Sequence, residues 1–187
     1  MGRQLLRVIA AAESNMGIGK CGNLPWDLPN EFNYFLSRIT SVSTPGKKNL
    51  VISGRQSAIK DSPLPNCYSV VLSRTLSSVP ENANYLCRDL DSAIQLGSLA
   101  PLSEEIETIW VLGGVKLFEE AMKHPNCDQI YLTKIMAHFD CDTFFPEFDQ
   151  EIFRLVDEFP GVPSEIQEEN GIKYKFQVFE KVSKQSI

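Results

Sequence analysis

Apolar residues fall into short runs along this chain, separated by polar stretches that carry glycine and proline. Leu5 to Ala12, LLRVIAAA, reads as a strand buried on both faces. Similar runs recur at Asn49 to Ser53, Tyr68 to Leu72, Tyr85 to Arg88, Ile106 to Leu112 and Asp128 to Ile135. Helical spacing lies between them. Phe32, Phe35, Leu36 and Ile39 follow the i, i+3, i+4, i+7 pattern, which predicts a helix from Pro29 to about Thr40. Pro29 suits a first helical position. Two more helices are expected, from Asp89 to about Leu99 and from Gly113-Gly114 through Met122. Strands alternating with helices indicate an α/β fold with a mostly parallel, twisted sheet of about eight strands and flanking helices. Toward the C-terminus the pattern changes. Ile152 to Phe159 and Ile172 to Val182 are strand-like with no helix between them, and Glu169-Asn170-Gly171 signals a hairpin turn. An antiparallel C-terminal hairpin follows from that. Ser14 to Asn23, Ser41 to Lys48, Ser62 to Asn66 and Ser98 to Glu107 are expected to be loops.

Composition narrows the class. A chain of 187 residues without repeat or linker reads as one domain, residues 1–187. The net charge of −6 argues against nucleic acid or an anionic membrane as the main partner. Cys21, Cys67, Cys87, Cys127 and Cys141 are scattered without a C-x-x-C, and only His124 and His138 could join them, so no disulfide framework or metal site is indicated. The apolar run VIAAA after Arg7 is too short for a secretory signal, and no run reaches transmembrane length. A cytoplasmic protein is the expectation.

Three strand ends carry the groups that hold an anion. NLVIS ends in Gly54-Arg55-Gln56-Ser57, SVVL in Ser73-Arg74, and IWVL in Gly113-Gly114 at a helix start. Ligands of open α/β sheets bind beyond the carboxyl ends of strands, and helix N-termini with adjacent glycines favour phosphate. Arginine with a hydroxyl suits a phosphate monoester, so together the three ends point to a phosphorylated dinucleotide. Taken singly, the diglycine also reads as a tight turn, and Arg55 and Arg74 as solvated loop charges. G-x-G-x-x-G is absent. Glu31 has two readings as well. It is either a first-turn acid favoured by the helix dipole, or a partly buried carboxyl whose apolar surroundings favour its protonated, proton-donating form. Phe32 and Phe35 read equally as plain core.

The motifs resemble those of the dihydrofolate reductase family over nearly the whole chain: NMGIGKCGNLPW (15–26), NEFNYF (30–35), NLVISGR (49–55), VVLSR (70–74), WVLGG (110–114), YLTKI (131–135), DTFFPE (142–147) and GIKYKFQVFEK (171–181). The length fits a stand-alone eukaryotic-type enzyme. The resemblance implies NADPH-dependent reduction of 7,8-dihydrofolate to 5,6,7,8-tetrahydrofolate, serving one-carbon metabolism and thymidylate synthesis. Hydride would pass from nicotinamide C4 to pterin C6, with protonation at N5. By the resemblance Glu31 is the active-site acid, Thr133 orients it, and Trp26 lies near the chemistry. Ile9, Ala11, Leu24, Phe32, Phe35, Leu64, Leu112 and Phe118 are implied to line the substrate site. Residues 15–26 are implied to close over the nicotinamide, with Ala11, Ile18, Gly19, Gly22 and Leu24 beside it. Gly54, Arg55, Gln56, Ser57, Leu72, Ser73, Arg74 and Arg88 are implied at the adenosine and its 2′-phosphate. Leu112, Gly113, Gly114, Val115, Lys116, Leu117 and Phe118 are implied along the pyrophosphate and nicotinamide ribose. Antifolate inhibitors would share the substrate site, and a monomer is the family's usual form.

Three positions depart from the family pattern. Cys67, after Pro63-Leu64-Pro65-Asn66, stands where an arginine usually holds the glutamate tail of folate, with Arg38 as a substitute by another route. Phe118 replaces a common tyrosine, and Ala58 a common tryptophan. The Trp26-to-Glu31 segment is one residue shorter than in vertebrate forms. Two alternatives stay open: a reductase of another pterin-like or pyrimidine substrate, as in riboflavin pathways, and a binding module for folate, NADPH or RNA without turnover.

Overall fold

The computed structural model describes residues 4–57 and 64–182. Its elements, in chain order, are β1 (Leu5–Ala12), β2 (Gly17–Gly19), α1 (Pro29–Thr40), β3 (Lys48–Gly54), β4 (Cys67–Leu72), β5 (Tyr85–Cys87), α2 (Leu90–Ser98), α3 (Leu102–Glu105), β6 (Ile106–Val111), α4 (Val115–Lys123), β7 (Cys127–Ile135), β8 (Thr143–Phe144), β9 (Phe153–Val156), β10 (Gln167–Glu169) and β11 (Ile172–Lys181). Ala58 and the Ser62-Pro63 part of the expected turn lie outside the described residues.

The main sheet has the order β10-β11-β7-β1-β6-β3-β4-β5, with β9 also pairing β11. From β7 to β5 every pairing is parallel, and β11 joins β7 antiparallel. Because side chains alternate across a strand, each central strand feeds both faces. Leu6 and Val8 enter the larger core, with Leu50, Ile52, Ile109, Val111 and the buried residues of α2 and α4. Ile9 enters the opposite core with Val51, Trp110, Tyr131 and Ile39 of α1. This two-sided burial explains why the strands read as unbroken apolar runs.

The ends of the helices are fixed locally. Asp89 caps α2 by accepting the Ser92 N–H at 2.8 Å. Pro29 opens α1, whose Asn30 N–H is taken by the Glu169 carboxylate at 2.9 Å. Asn49, fully buried, donates from Nδ2 to the carbonyls of Ile39 (2.8 Å) and Ser41 (2.9 Å), pinning the C-terminus of α1 to β3. Asn170 and Gly171, both at positive φ, make the two-residue turn between β10 and β11, as the hairpin signal predicts.

The structure differs from the sequence pattern in three places. The stretch Ser14 to Asn23 is not all loop, because β2 within it pairs antiparallel with β8. The stretch Ser98 to Glu107 contains α3, whose Leu102 reaches the core. The strand expected over Ile152 to Phe159 is shorter, Phe153–Val156.

Candidate active site

Three neighbouring strands, β6, β3 and β4, bring their carboxyl ends together, as the three anion-holding junctions require. Beyond β3 the chain turns through a short 3-10 helix, Arg55–Ser57. The Gly54 N–H donates to the Gly113 carbonyl at 2.8 Å, which ties this turn to the diglycine. Gly113 has φ +128°, and a Cβ there would stand 3.1 Å from Ser57 Oγ and 3.4 Å from the Phe118 ring. Only glycine meets both conditions. The Gly113-Gly114 peptide is cis. Gly114 precedes α4 without a side-chain cap, so the first amides of α4 are left to face an anion.

The residues expected at the dinucleotide separate into two groups. Ser57 lies with its hydroxyl against the diglycine that precedes α4. Arg55, exposed, lines a cavity of about 340 Å³ with Val71, Leu76, Ser78, Pro80 and Asn82. Ser73 Oγ accepts the N–H groups of Thr75 and Leu76, and Arg88 donates to the carbonyls of Ser73 (2.8 Å) and Leu76 (2.6 Å). Arg88 thus holds the turn at Ser73–Leu76 in shape. Arg74 is exposed; hydrogen bonds from Ser92 hold Asp89 below its ordinary pKa, and the Arg74 charge adds to them. Leu117 and Phe118 point into the core, and the Phe118 ring backs Gly113 and meets Phe145 at 5.1 Å.

Glu31 lies across the sheet from α4, in the first turn of α1, and is only 5% exposed. Burial pushes its carboxyl up to about 7; the Thr133 hydroxyl works downward, and the charge of Glu169 works upward. Thr133 is flanked in the sheet by Ala11 on β1 and Phe176 on β11. Tyr34 stacks on Phe176 at 3.7 Å, closing that side with aromatic surface. On the open side the apolar groups are exposed. Phe32 is 40% and Leu24 52% exposed, and the Phe32 and Phe35 rings stack at 5.7 Å. Phe35, Leu64 and Leu112 pack at the edge of the Ile9 core cluster. The helix stripe is thus only partly core. Ile39 is buried, while Phe32 is left as an uncovered apolar wall next to a buried acid.

Segment 15–26 is held to β8 and the residues beside it. The Asp142 N–H donates to the Gly19 carbonyl (2.9 Å), the Phe145 N–H to the Met16 carbonyl (2.7 Å), and the Cys21 N–H to Asp142 Oδ2 (2.9 Å). Ile18 packs on the larger core, and Trp26, 6% exposed, meets Phe139 edge-on at 5.7 Å with its indole N–H unpartnered.

Cys67 is buried, and its thiol donates to the Ile39 carbonyl at 3.3 Å; burial pushes its pKa up to about 12. Arg38 leaves α1 in a different direction. It sits over the Tyr34 ring, with its charge near the Tyr131 hydroxyl. Sequence reasoning missed Glu13, a buried acid at the root of segment 15–26. It follows an apolar strand and precedes Ser14-Asn15, where an acid reads as loop charge.

A family model described as dihydrofolate reductase matches residues 5–181. The dihydrofolate reductase of Rattus norvegicus is 47% identical over 181 residues, covering 94% of this chain and 97% of that one. A viral dihydrofolate reductase of Saimiriine herpesvirus 2 is 43% identical, covering 95% and 85%. The solved structure of Schistosoma mansoni dihydrofolate reductase superposes with a TM-score of 0.84 at 33% identity, covering 97% of this chain and 100% of that one. The architecture, the buried acid beside an apolar groove and these matches lead to one conclusion: the chain belongs to the dihydrofolate reductase family.

Proposed function

We propose that this protein reduces 7,8-dihydrofolate to 5,6,7,8-tetrahydrofolate with NADPH. The observation that carries the reading is Glu31, a carboxyl buried beside an exposed apolar groove and poised near neutrality. A flat heteroaromatic ring suits Phe32, Phe35, Ile9, Leu24, Leu64 and Leu112. The carboxyl suits an amino group and ring nitrogen that hydrogen-bond in one plane. A group with a pKa of about 7 holds a proton part of the time at neutral pH, as a proton source for pterin N5 requires.

The residues present also fit the cofactor. Gly113 is a place where no side chain fits, and the uncapped amides of Val115, Lys116 and Leu117 suit a pyrophosphate. Arg55 at the cavity, with Gln56, Leu72, Ser73 and Arg74 from the ends of β3 and β4, is read as the adenosine 2′-phosphate side. Ser57 belongs with the diglycine in this reading, and Arg88 acts by holding the turn at Ser73–Leu76. Ala11, Ile18, Gly19 and Gly22 are read as the nicotinamide side. When bound, NADPH supplies hydride to pterin C6. The chain's part is to orient, to exclude water and to hold one proton. Thr133 fixes the Glu31 carboxyl, and segment 15–26 with Trp26 covers the reacting atoms.

Residues 1–187 are read as one catalytic domain, acting as a cytoplasmic monomer without nucleic-acid or membrane partners and inhibited by antifolates. Among the described residues no helix is long and apolar enough to cross a membrane. The test is loss of NADPH absorbance on adding dihydrofolate, and its suppression by a diaminopyrimidine antifolate. NADPH and folate binding without turnover would replace the enzyme reading with a binding module.

A further inference from the structure

Glu13 immediately follows β1 and is 2% exposed, yet it has no arginine or lysine partner among the described residues. Backbone amides take that place. Oε1 accepts the N–H groups of Asn15 at 2.8 Å and Gly17 at 2.9 Å. Oε2 accepts the Phe139 N–H at 3.2 Å and lies 3.3 Å from His138 Nδ1. The backbone closes the same loop, with the Glu13 N–H on the Gly17 carbonyl (2.9 Å) and the Met16 N–H on the Glu13 carbonyl (2.8 Å). Burial works against the charge, but the amides prevail and hold the carboxyl below its ordinary range. Glu13 is therefore an ionised acid, whereas Glu31 is poised to be neutral.

The bonded partners have a common geometry. Asn15 and Gly17 begin segment 15–26, and Gly17 opens β2. Phe139 lies 126 residues away, and its ring is the edge-on neighbour of Trp26, at the far end of that segment. A Cβ on Gly17 would stand 2.4 Å from Cys141 Sγ and 2.9 Å from Glu13 Oε1, so the segment's root is pressed between the carboxylate and the irregular stretch that precedes β8. One side chain thus grips the near end of the segment directly and its far end through Phe139.

We propose that Glu13 is a positioning residue for the reaction: its carboxylate sets the hinge of segment 15–26 and, through Phe139, the seat of Trp26, holding the segment against β8 where it covers the nicotinamide. This rests on the reading of residues 15–26 as the cover. Glu13→Gln keeps one oxygen for Asn15 and Gly17 but turns an NH₂ toward the Phe139 N–H. Glu13→Ala removes every contact of the carboxylate and keeps the main-chain bonds to Met16 and Gly17.

The experiment follows hydrogen exchange of each protein with and without NADPH, together with thermal unfolding, KM for NADPH and kcat. In the wild type, the amides of Asn15, Gly17 and Phe139 exchange at one common rate, and NADPH slows them together. Glu13→Ala loses that protection and raises KM for NADPH roughly tenfold, the equivalent of one charge-assisted hydrogen bond, with a smaller change in kcat. Glu13→Gln falls between, with Phe139 released and Asn15 retained. Unlinked rates for the three amides in the wild type overturn the proposal without any variant. Full NADPH protection of 15–26 in folded Glu13→Gln or Glu13→Ala protein overturns Glu13 alone. If NADPH does not protect 15–26 in the wild type, the cover reading fails first and the proposal with it.

Discussion

The Thr133 hydroxyl favours the ionised form of the Glu31 carboxyl, coupling the strand at the sheet's parallel-to-antiparallel boundary to the first turn of α1. Both side chains are buried, at 3% and 5% exposure. Among the described residues this coupling is the interaction that favours the carboxylate against its desolvation. It therefore tunes the acid downward from a value that burial alone would push higher. Thr133→Val removes it without changing shape much. The falling limb of turnover against pH, centred near 7 in the wild type, should move up by about one pH unit, the equivalent of one hydrogen bond to a charged group. A limb that stays in place would show that Glu31 does not set it.

Glu31→Gln should leave NADPH binding intact and lower turnover at pH 7 by about 10²–10⁴-fold, the usual worth of a positioned proton donor. The loss should shrink at low pH, where solvent can protonate dihydrofolate directly. Steady-state rates from pH 5 to 9 check this, and near-normal turnover at pH 7 would remove Glu31 from the mechanism.

The same substitution has a stability consequence of known sign. The folded pKa, about 7, lies above the ordinary 4.5, so the folded state keeps its proton longer than the unfolded state. Stability attached to Glu31 is present below pH 4.5 and is lost as pH rises through 7. Glu31→Gln has no such loss. Its stability relative to wild type should improve by on the order of 2 kcal/mol between pH 5 and pH 8. Urea titrations of both proteins at the two pH values measure it; a constant difference would mean that the carboxyl titrates normally.

Arg55→Ala with Arg74→Ala should weaken NADPH by about 10²–10³-fold and NADH by less than about threefold, since only the former carries the phosphate the guanidinium groups would pair with. Fluorescence titration with both nucleotides decides it. Equal losses would move the phosphate elsewhere.

Cys67→Arg places a guanidinium where the thiol now meets the Ile39 carbonyl, and a fork of five donors can use that acceptor and still face outward. Folates with a glutamate tail should bind about tenfold tighter or better, while small diaminopyrimidines should hardly change. Comparison of the two ligand classes, with melting curves to confirm folding, checks the placement of this loop. Arg38 sits over the Tyr34 ring with its charge near Tyr131.

The central strands were legible because each buries both faces, so their apolar runs are unbroken, as in Leu50, Val51 and Ile52. α1 was legible through its proline start and its apolar spacing. That spacing did not tell core from groove: it grouped Phe32 with Ile39, yet one is 40% exposed and the other fully buried. Short elements left no periodic trace. β2 is GIG, and α3 has only the four residues LSEE. Among candidate site residues, the diglycine, Arg55 and Glu31 could be read by residue type, whereas Thr133 came from the family resemblance. Glu13 could not, because its partners are main-chain amides, which carry no residue signature, and one of them is 126 positions away.

The Glu169 carboxylate that accepts the Asn30 N–H belongs to the hairpin of β10 and β11, and Asn170 in its turn also donates to the Asp27 carbonyl at 3.0 Å. Helix α1 therefore receives its cap from residues made some 140 positions later in synthesis. On a ribosome, the first two-thirds of the chain can assemble strands β1, β3, β4 and β6 against α2, but the turn bearing Glu31 gains its cap only after residue 170 has emerged. Catalytic competence should then appear late and abruptly during translation, well after a compact nascent domain has formed.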